Sequence, residues 1–130
     1  MVWFISSEAF VSYEHNLKHI IYSYYEVLVK SKIDSLLIIA SELCEDGKYI
    51  EALKCYDKVL HIEPNNTKAI IDKGVTLQNL EHLSQAMQMY EKALNFEPEN
   101  IDALINMGSA LHTLGKYVDA ISYYDIVLKL

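Results

Sequence analysis

One sequence phrase occurs three times in this chain at a constant spacing of 34 residues. Its copies are GKYIEALKCYDKVLHIEPNN, HLSQAMQMYEKALNFEPEN and GKYVDAISYYDIVLKL, and they align on Ala52, Ala86 and Ala120. Pro64 and Pro98 are also 34 residues apart. Agreement at several independent positions indicates a repeated structural unit, which cannot bury its apolar face alone and must stack on its neighbours.

The apolar residues within each copy have the spacing of a helix face. In the first copy, Ala52, Tyr56, Val59 and Leu60 recur at intervals of three and four residues. Such intervals place side chains on one side of an α-helix. The polar residues 65–67 then follow a proline, which predicts a helix end and the N-cap of the next helix. The sequence therefore predicts pairs of helices joined by short turns.

This 34-residue pattern resembles the tetratricopeptide (TPR) repeat over residues 33–130. The resemblance implies an all-α fold, a right-handed TPR solenoid of antiparallel helix pairs. Three repeats are expected at 33–66, 67–100 and 101–130, the last without its terminal proline segment. The first helix of each pair would lie near 34–46, 67–80 and 101–114, and the second near 49–62, 83–96 and 117–130.

Residues 1–32 fit the repeat poorly but have a helical pattern of their own. Apolar residues follow one another at intervals of three and four, which predicts one long amphipathic helix starting near Ser6 or Ser7. We interpret the segment as an N-terminal capping helix or a degenerate repeat. Its apolar stripe consists of Phe10, Tyr13, Leu17, Ile20, Tyr24 and Leu28.

Small residues recur where the helices of a pair should meet, at Ala40, Gly74 and Gly108. Glycine inside a helix costs about 1 kcal/mol relative to alanine, so its recurrence suggests a close approach between helices. The middle repeat carries Glu81 where the other two have a turn glycine, and Lys73 at an apolar position. A left-handed backbone at Glu81 would cost about 1 kcal/mol, so we expect this repeat to be the least stable.

The charge composition excludes several classes of partner. The chain carries a net charge of -7, and all eleven of its basic residues are lysines. Without a basic surface or a guanidinium group, nucleic acid and anionic membrane are poor partners. The cysteines Cys44 and Cys55 have no CxxC spacing, and no basic region precedes the apolar N-terminus. We therefore expect free thiols and a cytoplasmic protein.

The sequence contains no recognisable catalytic motif. Phosphate-binding glycine loops, GxSxG and HExxH are all absent. His15 and His19 are four residues apart on one helix face, but no third ligand accompanies them, and we expect a solvated pair rather than a metal site. We predict that the protein is not an enzyme and uses no cofactor and no metal.

The resemblance implies instead that the first helices line a concave peptide-binding groove. An apolar strip of Leu37, Ile71, Val75 and Ile105 would form its floor, and amides would rim it. The alternative is that these side chains line a solvent-filled surface. The predicted groove residues are Leu37, Ser41, Lys68, Ile71, Val75, Gln78, Asn79, Asp102, Ile105, Asn106, Ser109 and His112, with Asp34, Cys44, Glu45 and Thr113 at further groove positions.

One kind of ligand can be tested against these positions. TPR domains that bind chaperones hold an acidic C-terminal tail with cationic side chains. The corresponding residues here are Leu37, Ser41, Asp72, Asp102 and Asn106, none of them basic. A carboxylate placed beside Asp102 would be repelled. We therefore exclude an acidic-tail ligand and expect a protein or peptide partner with a neutral or basic end and apolar side chains.

Two other roles remain open from the sequence. The last repeat stops at Leu130 without a polar capping helix, so we expect either a fragment of a longer repeat protein or a scaffold whose open repeat face is covered by another copy, as a homo-oligomer, or by a partner. That self-association face would consist of Tyr124, Val127 and Leu128. Alternatively, the chain is the regulatory TPR region of a larger enzyme.

Overall fold

The structure, a computed structural model, describes residues 6–130; the first five residues of the predicted N-terminal segment lie outside the described residues. The chain divides into two compact units, Met1–Asp34 and Ser35–Leu130, which are described separately. The helices are α1 (Ser7–Glu45), α2 (Tyr49–Ile62), α3 (Thr67–Asn79), α4 (Leu83–Phe96), α5 (Ile101–Thr113) and α6 (Tyr117–Lys129).

The second unit confirms the predicted all-α solenoid of helix pairs. Helices α2 to α6 begin and end within one or two residues of the predicted bounds. Each packs on the next along the chain, and α3 also contacts α5. Because only three or four residues join consecutive helices, neighbours run antiparallel. The first helices of successive repeats therefore lie side by side.

An asparagine starts each of the last two repeats. The Asn66 side chain accepts a hydrogen bond from the Ala69 backbone N–H at 2.9 Å and donates one to Glu63 at 2.9 Å. The arrangement recurs one period later, where Asn100 donates to Glu97 at 2.7 Å. That hydrogen bond lowers the pKa of the Glu97 carboxyl. The predicted N-cap is thus confirmed, and one side chain ties the turn to the new helix.

The mid-helix glycines allow a tyrosine ring to approach the helix backbone. A Cβ atom added at Gly74 would lie 2.5 Å from a Tyr90 ring carbon, and one at Gly108 would lie 2.6 Å from a Tyr124 ring carbon. Ordinary carbon contacts need about 3.5 Å or more. Ala40, at the equivalent position of the first repeat, is fully buried. The predicted close approach is confirmed, and it brings the two helices of a pair together.

The turn between the two helices of each repeat uses a left-handed residue. Gly47 and Gly115 have φ of 73° and 77°, and Glu81 has φ of 63° at the same position of the middle repeat. A side chain in this region meets the following backbone, which glycine avoids. The structure confirms that this turn requires a left-handed backbone.

Burial is concentrated around the middle repeat. Ile70, Thr76 and Tyr90 are among the largest fully buried side chains. Lys73, which the pattern places at an apolar position, extends to an ion pair of 2.7 Å with Asp57 of α2. Packing against the first and third repeats therefore stabilises the middle repeat and offsets the free-energy cost of the left-handed backbone at Glu81. Its rank in stability among the repeats stays a prediction.

From Ser7 onward, the first unit is a continuous helix. Helix α1 begins at Ser7, as predicted, and continues without a break past residue 32, the predicted end of the N-terminal segment. Nearly all side chains of residues 7–32 are exposed. The proposed capping role of this segment stays a prediction. Residues 6–130 contain no helical stretch that is both apolar and long enough to cross a bilayer.

Replacing Glu81 with glycine should stabilise the protein by about 1 kcal/mol, because glycine adopts a positive φ without steric cost. Urea denaturation of Glu81→Gly and wild type measures the difference. Glu99→Gly is the control, since it places glycine in a turn where φ is not positive. Equal effects of the two substitutions would contradict the assignment of strain to Glu81.

Gly74→Ala should destabilise the fold by about 1–2 kcal/mol, since the added methyl meets a fully buried tyrosine ring and overpacking outweighs the gain in helix propensity. Gly108→Ala should cost less, because Tyr124 is only half-buried and its ring can shift. Thermal unfolding of both variants tests the ranking. A Gly74→Ala protein more stable than wild type would refute the close-packing argument.

Candidate functional site

The predicted groove lies along the first helices of the repeats. In the second unit these are residues 35–45 of α1, helix α3 and helix α5, and we call their shared surface the A-helix face. Cys44 Sγ lies 3.4 Å from Thr76 Oγ1, and Gln78 Nε2 donates to Ser109 Oγ at 3.4 Å. Polar contacts thus join the three helices into one surface.

A tyrosine from the second helix of each of the first two repeats reaches this surface from below. The Tyr90 hydroxyl donates to Gln78 Oε1 at 2.9 Å. One period earlier, the Tyr56 hydroxyl lies 3.9 Å from Cys44 Sγ. Within residues 6–130 every buried side-chain nitrogen and oxygen has a hydrogen-bond partner. These contacts hold Gln78 in place, so that only part of its amide remains for a ligand.

The apolar strip is narrower than the sequence predicts. Ile71 is only 6% exposed and packs in the core, and Val75 is half-buried against the same cluster. Leu37 is also half-buried. Ile105 remains 43% exposed on α5 and is the most accessible apolar side chain of the predicted strip. A ligand would therefore meet its main apolar contact on α5.

Some polar side chains of the predicted groove already contact other groups of the protein, and others are exposed to solvent. Asn106 Nδ2 donates to the Asp102 carbonyl oxygen of its own helix at 2.8 Å. The His112 ring packs edge-on against Tyr117, with 5.1 Å between ring centroids. Ser109 and Asn106 are half-buried, and the exposed members are Ser41, Lys68, Asn79, Asp102 and His112.

Asp72 and Asp102 contribute charge to the A-helix face, in addition to Glu45 at the end of α1. Asp72 pairs with Lys68 at 2.9 Å, so these two charges offset each other. Asp102 has no lysine or histidine within ion-pairing distance among the described residues. Its charge is therefore directed at solvent, and the face carries a local excess of negative charge.

The predicted self-association face is partly engaged in the fold of the third repeat. Tyr124 covers Gly108 and is half-buried, as is Val127. Leu128 is 83% exposed. Of the three predicted residues, Leu128 is thus the one that offers most of its side chain to another molecule.

Sequence reasoning missed a cleft on the second helices. It lies between α4 and α6 over a floor from α5 and has a volume of about 560 Å³. Its apolar lining includes Met87, Met107, Leu111 and Tyr123. The two methionines were the available signal, because unbranched methionine side chains line adaptable binding surfaces. The other lining residues are Ser84, Gln88, Glu91, Leu114, Lys116, Asp119 and Ser122.

The comparison with family models assigns the repeat region. Two models, each described as a tetratricopeptide repeat, match residues 67–100 and 89–122. Together they cover the middle repeat and most of the third. A comparison of the sequence with curated proteins finds no match.

Solved structures share the fold at low identity. The first TPR domain of Spaghetti (RPAP3), bound to the HSP90 peptide SRMEEVD, is 24% identical, with a TM-score of 0.71 over 76% of this chain and 79% of that one. The second TPR domain of Spaghetti, with the same peptide, is 20% identical, with a TM-score of 0.71 over 79% of this chain and 97% of that one. The TPR2B domain of yeast Sti1, in a pHsp70 complex, is 19% identical, with a TM-score of 0.70 over 74% and 77%.

The Tyr90–Gln78 contact generates a prediction at alkaline pH. Burial raises the pKa of the Tyr90 hydroxyl above its ordinary value. Because the pKa is higher in the folded protein, the tyrosine of the unfolded chain ionises first. The stability that this difference provides is present below about pH 10 and is lost as the pH rises further. Tyr90→Phe should therefore be less stable at pH 8, by about 1 kcal/mol for the lost hydrogen bond, but should lose less stability between pH 9 and 11.

Urea denaturation at pH 8, 9, 10 and 11 measures both effects. Tyr25→Phe is the matched control, since Tyr25 is exposed. Identical pH profiles for wild type and Tyr90→Phe would show that burial of the Tyr90 hydroxyl does not set the alkaline limit.

Proposed function

Because the chain belongs to the tetratricopeptide-repeat family, we propose that it is a non-catalytic protein-interaction module that binds a short, mainly apolar peptide on its A-helix face. The observation that carries the proposal is the exposed Ile105 on α5, a helix that also carries the half-buried polar side chains of Asn106 and Ser109. An apolar contact among a few polar groups is the usual composition of a peptide site.

Structures of similar fold support a peptide or protein partner. Both Spaghetti domains hold the peptide SRMEEVD, and the yeast Sti1 domain is in complex with pHsp70. Those proteins are at most 24% identical to this chain, so the fold is shared while the ligand is set by local side chains.

The charges of this chain favour a different ligand from SRMEEVD. Asp102 is exposed without a cationic partner, and Lys68 is already paired with Asp72. An acidic peptide would bring like charges together, whereas a neutral or basic peptide would not. We therefore extend the proposal to a peptide with a neutral or basic end and at least one large apolar side chain to cover Ile105.

The proposal includes a cytoplasmic location, which the two free thiols of Cys44 and Cys55 favour.

A second candidate function is assembly through the last repeat, favoured by the 83% exposure of Leu128. Substitution of Leu128 distinguishes the two, because this residue lies on α6 and not on the A-helix face.

A peptide-library screen with fluorescence-polarisation titration of the hits tests the groove. Ile105→Lys should weaken binding at least about tenfold, a loss of about 1.4 kcal/mol, because it removes the apolar contact. Ile121→Lys is the matched control, since Ile121 is exposed on α6. Circular dichroism should show all variants folded.

Two further measurements test where the peptide binds and which peptides are accepted. Ser84→Trp should fill the cleft between α4 and α6 and leave peptide affinity unchanged. Hits that survive Ile105→Lys but are lost with Ser84→Trp would move the site to that cleft. The peptide SRMEEVD should not bind, and micromolar binding of it would overturn the charge argument.

A further inference from the structure

The N-terminal part of helix α1 exposes an unusual amount of apolar surface. Between Phe10 and Leu28, eleven large apolar side chains are 44–71% exposed. A soluble helix normally has one apolar stripe against a core and a polar remainder. Exposed apolar surface on this scale marks a site of interaction.

Part of this surface follows a seven-residue repeat. Phe10, Leu17 and Tyr24 are seven residues apart. Tyr13, Ile20 and Val27 have the same spacing, and each follows a member of the first series by three residues. Alternating intervals of three and four residues define the a and d positions of a coiled coil, whose natural partner is another helix with the same repeat. We call this surface the α1 seam, formed by Phe10, Tyr13, Leu17, Ile20, Tyr24 and Val27.

Charged residues lie off the seam. Glu14, Lys18 and Glu26 fall at other positions of the seven-residue repeat, so no charge interrupts the seam from Phe10 to Val27. The next a and d positions are Ser31 and Asp34, where the seam ends. The end coincides with the boundary of the first unit.

The distribution of charge also permits two copies to meet here. Residues 1–34 contain four acidic residues and three lysines, a net charge of -1, whereas residues 35–130 carry -6. Two repeat regions would repel each other on contact, but two N-terminal helices would not. Pairing through the α1 seam therefore costs less electrostatic free energy than a contact between two repeat regions.

The available area suits a specific dimer. Burying the six seam side chains from each copy removes on the order of 1,000 Å² from the two helices together. Specific protein–protein interfaces bury a total surface of about 1,000 Å² or more. Ile21 and Leu28, which flank the seam and are 58% and 63% exposed, would add to this area.

We propose that the protein self-associates by pairing the α1 seam with the same seam of a second copy. The contact is distinct from the A-helix face and from Leu128, so peptide binding and self-association use separate surfaces of the chain. Each assembly then presents at least two peptide sites, and a partner with two binding segments would gain avidity. That last consequence rests on the proposed function, whereas the self-association does not.

Light scattering after size-exclusion chromatography of the full chain tests the pairing. Wild type at about 100 μM, a concentration typical of such measurements, should have at least twice the monomer mass of 14.9 kDa. The double variant Leu17→Lys, Ile20→Lys should return to the monomer mass, because it places two charges in the seam. The matched control is Val11→Lys, Tyr22→Lys, which changes two residues off the seam that are more exposed than Leu17 and Ile20 and should stay associated.

Leu128→Lys separates this proposal from assembly through the last repeat, and it should leave the mass unchanged. Sedimentation equilibrium of wild type gives an independent measurement that requires no variant. A monomeric wild type would overturn the proposal, and binding of that monomer to lipid vesicles would assign the exposed surface to a membrane. Loss of association in Leu128→Lys with retention in the seam variant would overturn it in favour of the repeat face.

Discussion

The packing of one tyrosine ring against one glycine sets the geometry of the repeat region. Tyr90 lies so close to Gly74 that no side chain fits between them, and its hydroxyl is bonded to Gln78 on the helix it covers. This contact fixes the distance and the rotation of α4 relative to α3. The third repeat uses the same ring-on-glycine packing with Tyr124 on Gly108. Since the second and third pairs are held in the same way, they present their first helices, α3 and α5, in the same orientation on one face.

The same contact shapes the candidate binding surface. The tyrosine that joins the two helices also holds Gln78 from below, while the core takes Ile71 out of reach of a ligand. A surface that looks evenly apolar in the sequence becomes one accessible isoleucine on α5 among polar groups. The proposed peptide contact is therefore centred on the third repeat, where Asp102 has no ion-pair partner among the described residues. Gln78, which joins the two helices of its pair, therefore belongs to the same face as the residues proposed to contact a peptide.

Two different forms of repetition organise the two units. The 34-residue period of the second unit brings a new helix pair onto the preceding one within the same chain. The seven-residue period of the N-terminal helix has no counterpart among residues 6–34 of the first unit, and it corresponds instead to a second helix of the same kind. Most of the negative charge lies in the repeat region, which leaves the N-terminal helix nearly neutral and suited to an apolar contact between copies.

The sequence by itself determined the period, the helix bounds of α2 to α6, the capping asparagines, the close glycine contacts and the turn that strains Glu81. These features are local or recur at a fixed interval, so spacing and backbone sterics suffice to predict them. The tertiary structure alone decided which predicted groove residues remain accessible. Ile71 and Ile105 occupy equivalent positions of consecutive repeats, yet one is buried and the other exposed, because burial depends on the neighbours that each helix meets. The cleft over Met107 likewise arises where three helices meet, and no single segment encodes it.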